Sequence, residues 1–404
     1  MKPWLKILIG LVLGVIVGLI VNRQIDFFLH VGKTFINLLK MVSGLIIFSS
    51  LVAGMCHISD PRKLGRIGSR AFFFFIITTL LAISIGICVV YAFKPGKNLH
   101  LSLLDTSVAV NKFSIFEFVF SVIPSNPILS FAEGNILQII VFAILFALAI
   151  NLSKEKGQPI IKFIESLNDV MIALTQIIMK FAPIGVFALM ATAVGMMGSK
   201  VFFRLLWAVG CIFLASLLHV LIIFVSTLRY LAKVEIAPFF KGMKDAIIVA
   251  LSTSSSSAAL PISLDCTRQH LGISTDISGF ILSLGTTINM NGTAIGQAVL
   301  AIFIAQAYGI EVSFLNIIIL IVTSLVSAIG TAGIPGSGLI MLSIVLNAMG
   351  LPNEGIALVA GIDRLRDMCA TVVNVLGDAV AAVYIATKEK QINREKYHAV
   401  TWAE

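Results

Sequence analysis

Apolar runs too long for an ordinary soluble core recur along this chain: Phe72–Val90, Leu205–Val225, and Asn135–Ile150 extended by its flanks. An α-helix needs about 20 such residues to cross the hydrocarbon of a bilayer. In lipid every backbone polar group must be satisfied internally, so only helices or closed barrels span. A barrel would show alternating segments of about ten residues, and none occurs. Charged residues are 12% of the 404, where a soluble domain averages about 25%. The expected fold is therefore an all-α polytopic membrane protein. The first run, Ile7–Val21, lacks a small-residue cleavage site followed by a polar mature chain, so it is expected to be an uncleaved helix.

The net charge of +9 forms no stripe on a soluble domain, which argues against nucleic acid. Basic residues cluster instead in loops: Arg62, Lys63, Arg66 and Arg70; Lys154, Lys156 and Lys162; Arg229, Lys233, Lys241 and Lys244; and Lys388, Lys390, Arg394 and Lys396. These loops alternate with less basic ones, the positive-inside pattern. They and both termini are expected in the cytoplasm. The five cysteines lie in or beside apolar runs with no CxxC pair, and read as small apolar filler.

Six helices are predicted first, at about 4–22, 31–56, 71–93, 114–150 (broken near Pro124 and Pro127), 158–194 and 201–228. The aromatic run Phe72–Phe75 is expected to face lipid, and His219 to be a core histidine. Beyond residue 238 the pattern changes. In Ala250–Ser263 (ALSTSSSSAALPIS), four serines interrupt a hydrophobic stretch just ahead of Pro261; Ser327–Ile340 (SAIGTAGIPGSGLI) repeats the device ahead of Pro335. Each is followed by a polar-studded helix, Gly285–Thr293 (GTTINMNGT) and Asp363–Asp378 (DRLRDMCATVVNVLGD). Non-helical backbone at membrane depth is tolerated only where protein or a watery cavity satisfies it. A pair of interrupted segments in corresponding positions points to a transporter's binding site.

On the last helix, Asp363, Asp367, Ala370, Thr371, Asn374 and Asp378 share an arc of about 100°. Carboxylates there require bound cations, a substrate ammonium, or Arg364 and Arg366 as partners. No histidine lies nearby to complete a transition-metal set. Hard cations prefer carboxylate, amide, hydroxyl and carbonyl oxygens, which Asn374, Asp378, Asn289 and Thr287 supply. The serine run can present backbone N–H groups to a substrate carboxylate.

The motifs SSSSAALP (Ser254–Pro261), NMNGT (Asn289–Thr293), GTAGIPGSG (Gly330–Gly338) and NVLGD (Asn374–Asp378) resemble the dicarboxylate/amino acid:cation symporter family, which includes the glutamate transporters. NILQIIVFAILF (Asn135–Phe146) and FAPIGVFALMA (Phe181–Ala191) extend the resemblance over nearly the whole chain.

The resemblance implies eight transmembrane helices plus two re-entrant hairpins, at about 239–262 and 316–345, in inverted repeats. It implies a homotrimer working as an elevator, with the second hairpin as gate. Residues 1–237 would hold the scaffold helices 1, 2, 4 and 5 with transport helices 3 and 6. Residues 238–387 would form the transport core and 388–404 a cytoplasmic tail. Asp367 would hold a substrate ammonium, and Asn374, Ser256 and the hairpin backbones its α-carboxylate. Thr293 and Thr371 would line the pocket with Ser255, Met290, Gly333, Pro335 and Ala370. One sodium site would use Asn374, Asp378, Gly285 and Asn289; a second Thr287 with carbonyls near Ala328, Ile329 and Thr331; a third Thr78, Thr79, Asn289 and Asn291.

Three positions depart from acidic-substrate members. Ala370 stands where they carry a substrate-gripping arginine, Asn291 where they carry aspartate, and Ser254 where some carry a hairpin arginine. The lost arginine and aspartate balance a lost substrate carboxylate and one sodium. The expectation is therefore inward symport of a small neutral amino acid with sodium in a bacterial-type inner membrane, with no enzymatic activity and no catalytic residues. An acidic amino acid or C4-dicarboxylate with sodium or protons is the alternative; Arg366, one turn before Ala370 and about 40° around the helix, could then replace the missing grip. An intramembrane serine hydrolase lacks GxSxG and a base on a polar face. Three inward carboxylates argue against a purely structural protein.

Overall fold

A computed structural model describes residues 3–21, 26–56, 61–97, 99, 123–134, 136–197, 199–329, 331, 333 and 336–398. Among them the fold is helical, without named strands; Ile273 and Ile392 form an isolated bridge. Helices long and apolar enough to cross a membrane include Arg66–Phe93, Val201–Ala232, Ile277–Ala307 and Asp363–Lys388.

Helix α1 (Pro3–Val21) packs along α7 (Ala182–Met197). Gly10, Gly14 and Gly18, spaced by one turn, make that contact. A Cβ on each would lie 2.3, 2.5 and 2.9 Å from the carbonyl oxygens of Pro183, Phe187 and Ala191. Small residues at one-turn intervals let membrane helices approach to backbone contact, where dispersion attraction is strongest. Helix α2 (Asp26–Cys56) packs against α5 (Ile136–Leu152), α6 (Gln158–Met179) and α7. Between α2 and α5 sits the short α4 (Pro127–Glu133), capped by Asn126, whose Oδ1 accepts from the Ile128 amide at 3.0 Å.

The stretch expected as a single helix at 158–194 is two helices. The chain turns at Lys180 and Phe181 and restarts with Pro183 in the first turn of α7, where a missing N–H costs nothing. The predicted 114–150 helix lies outside the described residues up to 122; α4 and α5 form its remainder.

Helix α3 (Pro61–Phe93) packs against α8 (Ser199–His219). Phe72 and Phe73 of the aromatic run face outward as expected, whereas Phe74 and Phe75 are buried, because four consecutive residues go round a helix. Helix α8 continues in wider, i→i+5 hydrogen-bonded turns at Val220–Phe224 and Thr227–Ala232. His219 is fully buried edge-on to the Phe224 ring, 4.7 Å between centroids; it is a core histidine, but not a hydrogen-bonded one, since neither ring nitrogen has a partner among the described residues.

The two interrupted segments fold back on themselves. The first comprises α9 (Ile236–Gly242), α10 (Lys244–Thr253) and α11 (Ser256–Asp265). Ser254 ends α10 in the left-handed region at φ 52°, and Ser255 caps α11 by accepting from the Ala258 amide at 3.2 Å. Helices α12 (Thr275–Ile288) and α13 (Asn291–Ala307) are separated by a break at Asn289 and Met290. The second hairpin pairs α14 (Phe314–Ile329) with α15 (Ser337–Ala348). After α16 (Glu354–Ala360) comes α17 (Asp363–Lys388), which packs on α10, α11, α12 and α13 and is buried along most of its length. A last short helix, α18 (Arg394–His398), folds the chain end onto the basic side: Tyr397 donates to the Glu235 carbonyl at 2.7 Å, and Glu389 pairs with Arg66 and Arg70.

Candidate functional site

The four motifs meet in one place. Gly333 joins the hairpin tips: its carbonyl accepts from Ser255 Oγ at 2.7 Å and from the Ser257 amide at 3.0 Å. A Cβ on Gly333 would lie 2.8 Å from Ser257 Oγ and 3.1 Å from the Thr286 carbonyl, so any side chain there would have to push the tips apart slightly. Ser256 is buried beside this junction. Pro335 lies outside the described residues, but the Gly336 amide after it donates to Asp367 Oδ2 at 3.1 Å.

The whole predicted polar arc of α17 is buried: Asp363, Asp367, Ala370, Thr371, Asn374 and Asp378 are each no more than 8% exposed. Thr371 Oγ donates back to the Asp367 carbonyl at 2.8 Å. Asn374 holds α17 to the helix break. Its Oδ1 accepts from the Gly292 amide at 2.8 Å, and its Nδ2 lies 3.3 Å from Thr293 Oγ and 3.1 Å from Met290 Sδ. Gly292 is required there, since a Cβ would stand 2.3 Å from the Ala370 carbonyl oxygen.

Asn289 Nδ2 donates to Asp378 Oδ1 at 2.8 Å and to the Asn374 carbonyl at 3.4 Å. Its own Oδ1 is buried with no partner among the described residues. Gly285 faces the same carboxylate; a Cβ there would be 2.2 Å from Asp378 Oδ1. A buried carboxylate, an orphan amide oxygen and a glycine packed against them form an oxygen-rich cradle, which is the donor chemistry of a hard cation.

Of the second predicted cation set, Ala328, Ile329 and Thr331 lie at the end of the second hairpin's first arm: Thr331 Oγ donates to the Ser327 carbonyl at 2.7 Å and its amide to the Ala328 carbonyl at 3.2 Å, with Ile329 ending α14. Thr287 Oγ donates to the Leu284 carbonyl at 3.0 Å. Three members of the third set are hydrogen-bonded together: Thr79 Oγ donates to Asn291 Oδ1 at 2.7 Å, and Asn291 Nδ2 to Thr78 Oγ at 3.3 Å, while Asn289 is turned to Asp378.

Beside Asp367 lie two arginines. Arg364 donates from Nη2 to the carbonyls of Ser252 and Thr253, at 3.4 and 3.2 Å, at the end of α10. Arg366 is 1% exposed and pairs with Asp363 Oδ1 at 2.7 Å and Asp367 Oδ1 at 3.5 Å. Sequence reasoning named these arginines as partners for the carboxylates. It missed Gln297, whose Oε1 accepts from Ser327 Oγ at 2.8 Å; a glutamine one turn beyond Thr293, inside a fully buried helix, was the available signal.

The profile of the Sodium:dicarboxylate symporter family matches residues 4–388. The chain belongs to this family. Its members are transporters rather than enzymes, so this symporter is a multi-pass membrane protein. It is 36% identical over 403 residues to a proton/sodium-glutamate symport protein of Bacillus caldotenax, covering 97% of this chain and 95% of the relative. It is 33% identical over 411 residues to a proton/glutamate-aspartate symporter of Escherichia coli, covering 97% and 94%. A C4-dicarboxylate transport protein of Laribacter hongkongensis is 32% identical over 406 residues, covering 98% and 91%.

Proposed function

We propose that this symporter carries an acidic amino acid or a C4-dicarboxylate into the cell, coupled to sodium or protons. The observation that carries the reading is Arg364, beside Asp367 on α17. Its Nε is a buried N–H group with no acceptor among the described residues, and buried donors are costly unless matched by an acceptor. A substrate with a second carboxylate supplies one. The substrates for which the relatives are named, glutamate, aspartate and C4-dicarboxylates, support the same class. This displaces the neutral amino acid expected from Ala370 to second place. Ala370 is fully buried and offers only a methyl group, so the neutral reading retains that one observation.

In this reading Asp367, Asn374, Thr293 and Ser256, with the hairpin backbones, hold the substrate. The Asp378 cradle, with Asn289, Gly285 and the Asn374 carbonyl, holds a sodium ion, whose charge offsets the buried carboxylate. The second cation set is retained as proposed. In the third set Thr78 and Thr79 hold the Asn291 amide from both ends, a site that lacks the aspartate charge of acidic-substrate members and is the weakest of the three for a cation. A homotrimeric elevator in a bacterial-type inner membrane, gated by the second hairpin and with cytoplasmic termini, is part of the proposal. So is the division into scaffold and transport core. It is supported by the packing of α1, α2, α5, α6 and α7 among themselves.

Uptake into proteoliposomes tests the reading. Labelled aspartate, succinate and serine are compared under inward gradients of sodium, of protons, and of neither. Uptake of aspartate or succinate that a sodium or proton gradient drives and serine does not compete is the expected result. Driven uptake of serine alone selects the neutral reading.

A further inference from the structure

Arg366 is shaped into the protein from three sides. A Cβ on Gly338 of α15 would lie 2.6 Å from its Nη2, and one on Gly296 of α13 would lie 2.9 Å from its Cδ. On its own helix, Nε and Nη2 reach Asp363 Oδ1 at 2.8 and 2.7 Å, and Nη2 reaches Asp367 Oδ1 at 3.5 Å. Two helices thus give up side chains to admit one guanidinium beside Asp367.

The electrostatic consequence concerns the substrate. Asp363, Arg364, Arg366 and Asp367 lie within five residues on α17 and sum to zero charge. Both Asp367 oxygens are engaged by the protein, Oδ2 by the Gly336 amide and Oδ1 by Arg366. A buried carboxylate without a counter-charge needs one from the ligand, whereas a carboxylate already facing a guanidinium does not. An arriving ammonium shares Asp367 with Arg366 and gains correspondingly less.

We infer that Arg366 is a built-in counter-ion to Asp367 that sets substrate selection, admitting four-carbon dicarboxylates that carry no ammonium on nearly equal terms with the corresponding amino acid. It acts through Asp367 and is a positioning residue. The inference rests on the proposal above that Asp367 faces the substrate.

The test is the ratio of binding constants for aspartate and succinate, ligands that differ only in the ammonium. In the wild type the ratio should be within about tenfold, the effect of 1.4 kcal/mol. Arg366→Gln should move it at least about tenfold toward aspartate, as an unshared carboxylate now attracts the ammonium. Arg366→Lys should restore most of the wild-type ratio. A purely structural Arg366 would weaken both ligands alike, and an unchanged ratio in a folded Arg366→Gln overturns the inference. If that variant does not fold, Asp363→Asn carries the test. It leaves Arg366 wholly to Asp367, so a shift toward succinate supports the inference and no shift overturns it. Should the wild type bind only neutral amino acids, the substrate proposal fails by itself, and alanine against propionate tests Arg366 in the same way.

Discussion

Asn289, in the break between α12 and α13, donates its side-chain amide to Asp378 on α17 at 2.8 Å, while its side-chain oxygen meets no donor among the described residues. The bond fixes which end of the amide is free to meet a cation. Asp378→Asn removes the anion and should weaken the sodium dependence of substrate binding at least about tenfold, because the cation then enters a buried site without its counter-charge. Thermal shift of the purified protein in sodium against choline measures it. Identical sodium curves for variant and wild type would exclude Asp378 as a cation ligand.

Asp367→Asn tests the substrate side of the site. Aspartate binding in saturating sodium should weaken by about 2–5 kcal/mol, the usual cost of removing one partner of a buried charge pair. Succinate should lose less, since it brings no ammonium. Calorimetry with both ligands reads the difference, and aspartate affinity within threefold of wild type would remove Asp367 from the ammonium site.

Gly14 on α1 touches the Phe187 backbone of α7. Gly14→Leu should lower stability by about 1–3 kcal/mol, as overpacking does in a filled core. Its effect on ligand selectivity should be smaller than its effect on stability, because the Met190 side chain separates the contact from Gly361 and the start of α17. Thermal unfolding in detergent, paired with the aspartate-to-succinate ratio, separates the two effects.

Tyr397 ties the C-terminal segment to the start of the first hairpin through the Glu235 carbonyl. Burial pushes its phenol well above the ordinary range, so the group stays protonated and keeps donating at all physiological pH. Tyr397→Phe leaves that carbonyl without its donor and should cost about 1 kcal/mol. Faster proteolysis of the tail should accompany it, with the mid-range pH profile of transport unchanged.

Much of this molecule was legible before any coordinates. Apolar run length announced membrane helices, and Ser, Gly and Pro clusters at 254–261 and 330–338 announced two interrupted segments. A period of 3.6 put Asp363, Asp367, Asn374 and Asp378 on one face. Those are local properties, written in the spacing of residues along a single segment. Local spacing could not say what covers the face. That Gly333 joins the two hairpin tips depends on segments nearly eighty residues apart. That Arg366 is sealed beside Asp367, rather than reaching outward in place of an arginine at Ala370, depends on side chains missing at Gly296 and Gly338 on two other helices. A periodicity reports which side of one helix is polar. Whether a charge there is left for a ligand or answered by the protein is a matter of close packing between distant segments, and the tertiary structure alone decided it.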